Sequence, residues 1–138
     1  MRTKYLLLLA ISVVVLSGVV AALYLYNKPH RNVGGLSPAL RISATELYGA
    51  FRKDESAANR RFGDKVIEVM GTIIVAEITD STAALQLDTG DPGGTVSCGF
   101  TLDKGQKGIF PSKGSAVTIK GRCIGFLQDV NLVDCVLE

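Results

Sequence analysis

Three cysteines and one acidic triplet are the residues of this chain best equipped for chemistry. Cys98, Cys123 and Cys135 can pair by oxidation or bind a soft metal, and Asp88-Thr89-Gly90 spells the triplet found in aspartic proteases. Protease chemistry needs two carboxylates sharing one proton, supplied by two lobes or a dimer, and the triplet occurs once. Asp91-Pro92-Gly93-Gly94 follows directly, a composition that makes a tight turn between strands. Asp88 and Asp91 also fall short of the dense oxygen-ligand spacing of a calcium loop.

Metal and cofactor chemistry find little support. Zinc generally takes four nitrogen or sulfur ligands, and the single histidine, His30, stands beside an apolar amino-terminal run rather than near the cysteines. A phosphate-cradling glycine loop with lysine, a dinucleotide fingerprint and a nucleophile paired with a usable histidine are all missing from the sequence. The chain therefore reads as a non-enzyme without metal or cofactor.

The cysteines lie in segments of strand character. Val96, Cys98 and Phe100 share one parity, as do Val117, Ile119, Gly121 and Cys123, and again Val133, Cys135 and Leu137. Successive side chains of a strand point to opposite faces, so all three sulfurs are expected inside. In an exported compartment one pair would oxidise and one thiol would be left over; in the cytoplasm all three would be small buried hydrophobes. The exported reading is preferred and gives one disulfide, with the three pairings left open.

The elements that hold these residues can be read from periodicity. Residues 65–78 carry Val66, Ile67, Val69, Ile73, Ile74, Val75 and Ile78 around Gly71, long for one strand unless glycine permits a bend or bulge. Further strands are expected at 83–88, 95–100, 116–123 and 130–137. Before them Leu47, Phe51, Ala58 and Phe62 recur at helical spacing, predicting one amphipathic helix over 44–62 that Gly63 ends. Ser43 and Glu46 match a capping box, in which hydroxyl and carboxylate each satisfy a free amide, with Ile42 and Leu47 placed as a hydrophobic staple.

Arg52, Lys53, Arg60 and Arg61 are interleaved with Asp54, Glu55 and Asp64, which makes a solvated helix face rather than a phosphate patch. Five strands and one helix in residues 43–138 suffice for one core. They give a mainly β fold: a five-stranded OB-fold barrel with one amino-terminal amphipathic helix, preceded by a single transmembrane helix. The usual helix between the third and fourth barrel strands is expected to be a loop, residues 101–114, with Gly105, Gly108, Pro111 and Gly114.

Ahead of the barrel, residues 5–26 carry no charge. As a helix they reach roughly 33 Å, enough for the roughly 30 Å hydrocarbon layer of a bilayer. Arg2 and Lys4 in the leader, residues 1–4, together with Val20-Ala21-Ala22 fit a cleaved signal peptide. The apolar run nevertheless continues through Leu23 and Leu25 with interfacial Tyr24 and Tyr26, past the about 7–15 residues of a signal core. A retained anchor is the preferred reading. Residues 27–42, with Pro29, Gly34, Gly35 and Pro38, read as a linker. A first helix so near the start more often leaves its leader in the cytoplasm, so the carboxyl-terminal domain is expected on the extracytoplasmic, periplasmic side.

Charge then narrows the partners. Arg2, Lys4, Lys28 and Arg31 flank the apolar run while all 13 acidic residues lie beyond it, so the domain is slightly acidic despite a sequence pI of 8.5. Nucleic-acid binders usually present a basic face.

Tyr26-Asn27-Lys28-Pro29-His30, Ala57-Ala58-Asn59, Lys65-Val66-Ile67-Glu68-Val69 with Gly71-Thr72, Val96-Ser97-Cys98, Lys120-Gly121-Arg122-Cys123 with Gly125, Asp129-Val130 and Leu132 to Leu137 resemble the bacterial tRNA_anti-like OB-fold proteins. The resemblance covers nearly the whole chain. It implies a small membrane-anchored or exported OB-fold protein, the family name recording a likeness of fold to anticodon-binding domains.

The expected function is a membrane-anchored, extracytoplasmic, non-catalytic binding module for a protein partner or an oligomeric ligand. Its contact surface is expected on the 99–114 loop through Lys104, Lys107, Phe110 and Lys113, which the core leaves unexplained. The alternative is a single-stranded nucleic-acid or oligosaccharide binder. With no tryptophan, 7% aromatic residues and an acidic domain, nucleic acid is the less favoured partner.

Overall fold

The computed structural model describes residues 2–26, 33–102 and 110–138. The chain divides into two compact units, Met1–His30 and Arg31–Glu138. The first is one helix, α1 (Arg2–Tyr26), exposed from Thr3 onward and long and apolar enough to cross a membrane by length and composition.

In the second unit, strands β2 (Val66–Ile78), β3 (Thr82–Leu87), β4 (Val96–Thr101), β5 (Ala116–Phe126) and β6 (Val130–Leu137) form a closed barrel. Antiparallel pairs link β2 to β3, β3 to β4, β5 to β6 and β2 to β5, and a parallel pair joins β4 to β6. This is the five-stranded OB architecture expected from the sequence, with one strand added.

That strand, β1 (Leu40–Ser43), runs parallel to the first half of β2 with Leu40 opposite Ile67 and Ser43 opposite Met70. It corrects the linker boundary. A 3-10 turn at Val33–Gly35 buries Val33, and the buried Lys120 ammonium donates to the Gly34 carbonyl at 3.2 Å. Residues 33–42 are thus part of the domain rather than a tether. The Arg41 guanidinium, 3.1 Å from the buried Glu68 carboxylate, and the ion pair of Lys120 with Glu138 hold the same side.

The expected single helix is two: α2 (Ala44–Lys53) and α3 (Glu55–Phe62). Asp54 is extended at φ −157°, ends α2 and caps α3, its carboxylate accepting the Ala57 N–H at 2.9 Å. Aspartate competes for backbone amides in this way, which makes it a better cap than a mid-helix residue. The capping box of Ser43 and Glu46 is formed.

Leu47, Tyr48, Phe51, Ala58 and Phe62 from the helices join Ile67, Val69, Ile73, Leu85, Leu87, Ile119 and Leu132 in one core. Phe126 stacks on Phe51 at 5.7 Å and meets Tyr48 edge-on at 5.8 Å. Each fully buried leucine, isoleucine, valine or phenylalanine of this core contributes about 1.5–3 kcal/mol.

Gly71 works otherwise than expected. The register of β2 shifts between Ile73 and Val75, beyond the glycine. At Gly71 a side chain would meet Ala44 Cβ at 3.1 Å and Leu87 Cβ at 3.2 Å, so the glycine lets α2 approach the barrel closely.

Candidate binding face

The acidic triplet is built into a turn. Thr89 is buried and its hydroxyl donates to the Gly94 carbonyl at 2.6 Å. The Asp88 carboxylate accepts the Gly90 N–H at 2.9 Å and that of Asp91 the Gly93 N–H at 2.7 Å. These are the local bonds by which Asp and Thr make turns. Among the described residues no three His, Cys, Asp or Glu side chains converge to hold a metal ion.

Cys98, Cys123 and Cys135 are free thiols inside the barrel. Burial pushes the Cys123 thiol pKa up. A hydrogen bond with Cys98, followed by burial, pushes that of Cys135 far up. Cys123 and Cys135 therefore stay protonated at neutral pH and are poor nucleophiles.

Of the loop residues expected to contact a ligand, Lys104 and Lys107 lie outside the described residues. Phe110 is half-buried, edge-on to Phe100 with centroids 5.1 Å apart, so its ring has a packing role. Lys113 is exposed in the turn before β5. Beside this segment an open groove of about 780 Å³ runs between Pro111 and the strands, lined by Met70, Thr72, Val117 and Leu137.

Sequence reading missed the outer face of β3 and β4, the second and third barrel strands, where OB domains bind oligomers. Register places Gln86 of β3 opposite Ser97 of β4, and Ser97 opposite Asn131 of β6. Val75 of β2 stands opposite Gln86 at the other end of the row. Each is half-buried, with Ala84 and Gly99 paired alongside. The row thus carries amide and hydroxyl groups, donors and acceptors without charge. The signal available in sequence was parity: Gln86 and Ser97 alternate with Leu85, Leu87, Val96 and Cys98.

Two turns bound this face at opposite ends of β4. At the far end Leu102 N–H donates to Ser81 O at 2.8 Å, bringing in the β2–β3 turn beside the exposed Ile78. At the near end Val130 N–H donates to Thr95 O at 3.0 Å, bringing in the β5–β6 turn. Leu127 in that turn is 91% exposed, the most open apolar side chain among the described residues of the domain. Asp129 and Asn131 hold the turn, the Asn131 amide donating to Asp129 O at 3.0 Å.

Solved structures resemble the chain at low identity. A candidate nucleic acid-binding lipoprotein of Klebsiella pneumoniae subsp. pneumoniae superposes with a TM-score of 0.56 and 15% identity, over 80% of this chain and 99% of that one. A candidate aspartyl-tRNA synthetase of Leishmania major gives 0.48 and 12%, over 78% and 20%. The Stn1–Ten1 complex of S. pombe gives 0.40 and 20%, over 53% and 57%. The first of these likenesses bears on the fold alone. No curated protein matches the chain. The tRNA_anti-like family, by contrast, matches residues 1–137, barrel and apolar helix together, and the chain belongs to that family.

Proposed function

We propose that the protein is a non-catalytic binding module anchored by α1, with its OB domain on the extracytoplasmic side of the membrane and an uncharged oligomeric ligand on the β3–β4 face. The observation that carries this reading is the row Gln86–Ser97–Asn131, half-buried polar groups at one level across three strands. Neutral donors and acceptors aligned across three strands suit an oligosaccharide or an extended peptide backbone. Leu127 and Ile78 supply apolar contact at the two ends. The length and apolarity of α1 support the anchor.

A second reading takes its support from the Klebsiella pneumoniae lipoprotein, whose description is nucleic acid-binding. Single-strand binders stack bases on aromatic rings in basic grooves. On the described face Glu77 stands opposite Ala84, and none of the residues named there is aromatic or basic. The uncharged ligand is therefore preferred.

One experiment separates the readings. The full chain, 15N-labelled in detergent micelles, is titrated with neutral oligosaccharides, uncharged peptides and mixed-sequence single-stranded DNA at low and high salt. Amide shifts at Gln86, Ser97 and Asn131 with a neutral ligand, insensitive to salt, are expected. DNA affinity that falls steeply with salt would establish the second reading instead. Fusion of a periplasm-active reporter to the carboxyl terminus tests the topology, and an inactive fusion would refute it.

A further inference from the structure

We infer that the binding row continues past β6 onto β5 and α3, and that its occupant is a neutral oligosaccharide of three to four sugar units lying across the strands. The inference rests on the reading of the β3–β4 face proposed above and narrows its ligand. Asn131 of β6, the last group of the row, lies opposite Gly125 of β5, so Gln86, Ser97, Asn131 and Gly125 stand at one level across four strands. Three strand spacings of about 4.8 Å make this level roughly 14 Å long.

Gly125 leaves the β5 end of the level bare. Its backbone lies at φ 129°, a conformation that favours glycine. A Cβ built there would meet one side-chain atom, Asn59 Oδ1 at 3.9 Å, and nothing nearer. Asn59 is an exposed residue of α3, so its amide stands beside the open floor that the glycine leaves. The exposed Leu127, two residues on, adds apolar surface for the C–H face of a sugar at the same end.

Hydrogen-bonding chemistry then selects the occupant. The Asn131 amide donates to the Asp129 carbonyl at 3.0 Å, a bond that fixes which end of the amide is oxygen and leaves that oxygen to accept. Gln86 and Ser97 can donate or accept. Hydroxyl groups answer all of these, because each donates once and accepts twice. Sugar rings carry hydroxyls along both edges without charge.

Spacing separates a sugar chain from a peptide. An extended peptide repeats the groups on one side every two residues, about 6.6 Å, and by the third strand it is out of step with groups set about 4.8 Å apart. One ring of an extended sugar chain is about as long as the strand spacing, so successive rings meet successive strands.

The full chain, 15N-labelled in a detergent without a sugar headgroup, is titrated with neutral glucose and N-acetylglucosamine oligomers of two to six units. Uncharged peptides of three to six residues are titrated in parallel. Affinity for the sugars should rise about tenfold from two units to four, as further neutral hydrogen bonds are made, and level off beyond. The four-unit sugar should shift the backbone amides of Gln86, Ser97, Asn131 and Gly125 and the Asn59 side-chain amide. Asn59→Ala should weaken that sugar about fivefold, the worth of one neutral hydrogen bond, with an unchanged melting temperature as the folding control.

Shifts at Gln86 and Ser97 without any at Gly125, or an Asn59→Ala chain that binds as the original does, overturn the extension while the β3–β4 reading stands. Peptides that shift the row where sugars do not overturn the sugar assignment alone. Silence of the whole row with every probe overturns both readings.

Discussion

The Asp129 carboxylate accepts two hydrogen bonds from Thr95, from the backbone N–H at 2.5 Å and from the hydroxyl at 2.9 Å. One side chain thereby fixes the β5–β6 turn to the start of β4, two segments 34 positions apart in sequence. Hydrogen bonds to a charged group are worth about 1.5–3 kcal/mol, so Asp129→Ala should cost about 2 kcal/mol in urea unfolding. Asp129→Asn should cost less, since an amide oxygen still accepts. Equal losses for the two variants would show that turn packing, not acceptance, matters.

Gly121 marks a second constraint, because a Cβ there would lie 2.6 Å from Cys135 Sγ and 3.2 Å from Leu132 Cβ. Gly121→Ala should destabilise the domain by about 1–3 kcal/mol through overpacking. Combining it with Cys135→Ala relieves the contact, and the double variant should lose less than the sum of the singles. Additive losses in thermal unfolding would argue against the clash.

Tyr48 is 2% exposed, and its hydroxyl lacks a hydrogen-bond partner in the described structure. A buried polar group left unpaired costs about 1–3 kcal/mol. Tyr48→Phe should therefore leave stability unchanged or raise it by about 1 kcal/mol, with the ring contact to Phe126 intact. A clear fall in melting temperature would reveal a partner for the hydroxyl.

Cys123 gives the domain a pH dependence at the alkaline end. Its thiol pKa is raised by burial from an ordinary value of 9.0, so the folded chain keeps a proton that the unfolded chain loses. Stability from this group is complete below pH 9.0 and falls as pH rises from there through the folded value. The melting temperature of Cys123→Ala should decline less between pH 8.5 and 10.5, about the span in which free thiols ionise. Parallel declines would assign the effect to other groups.

On the β3–β4 face, Gln86→Ala and Ser97→Ala remove half-buried polar groups that lie outside the core. Each should change stability by no more than about 0.5 kcal/mol. Both should abolish the ligand-induced amide shifts described above. Retained shifts in the double variant would move the binding surface elsewhere, the groove beside Pro111 being the next place to look.

Much of the architecture was legible where a periodicity ran long enough to be read. Ala83, Leu85 and Leu87 alternate with polar or small neighbours and are buried as alternation requires. Leu40–Ser43 was not legible, because a four-residue strand carries too little pattern and owes its place to pairing with β2. Asp54 was hidden for a different reason: apolar spacing runs on from Phe51 to Ala58, while the break lies in a local backbone bond that spacing does not encode.

The inward parity of the cysteines was readable, and all three are buried in the barrel core. The candidate face lay in plain polar residues whose alignment is a property of register. Gln86, Ser97 and Asn131 become neighbours only when three strands are set side by side.

The Gly34–Lys120 bond and the β1–β2 ladder have a mechanical meaning. Tension arriving along the polypeptide from its amino-terminal side would first strip the 3-10 turn, then load four residues of parallel ladder in shear. That load would reach the closed barrel only through β2, the strand to which β1 is paired. The strap would act as a sacrificial fuse, giving way while the β3–β4 face keeps its shape.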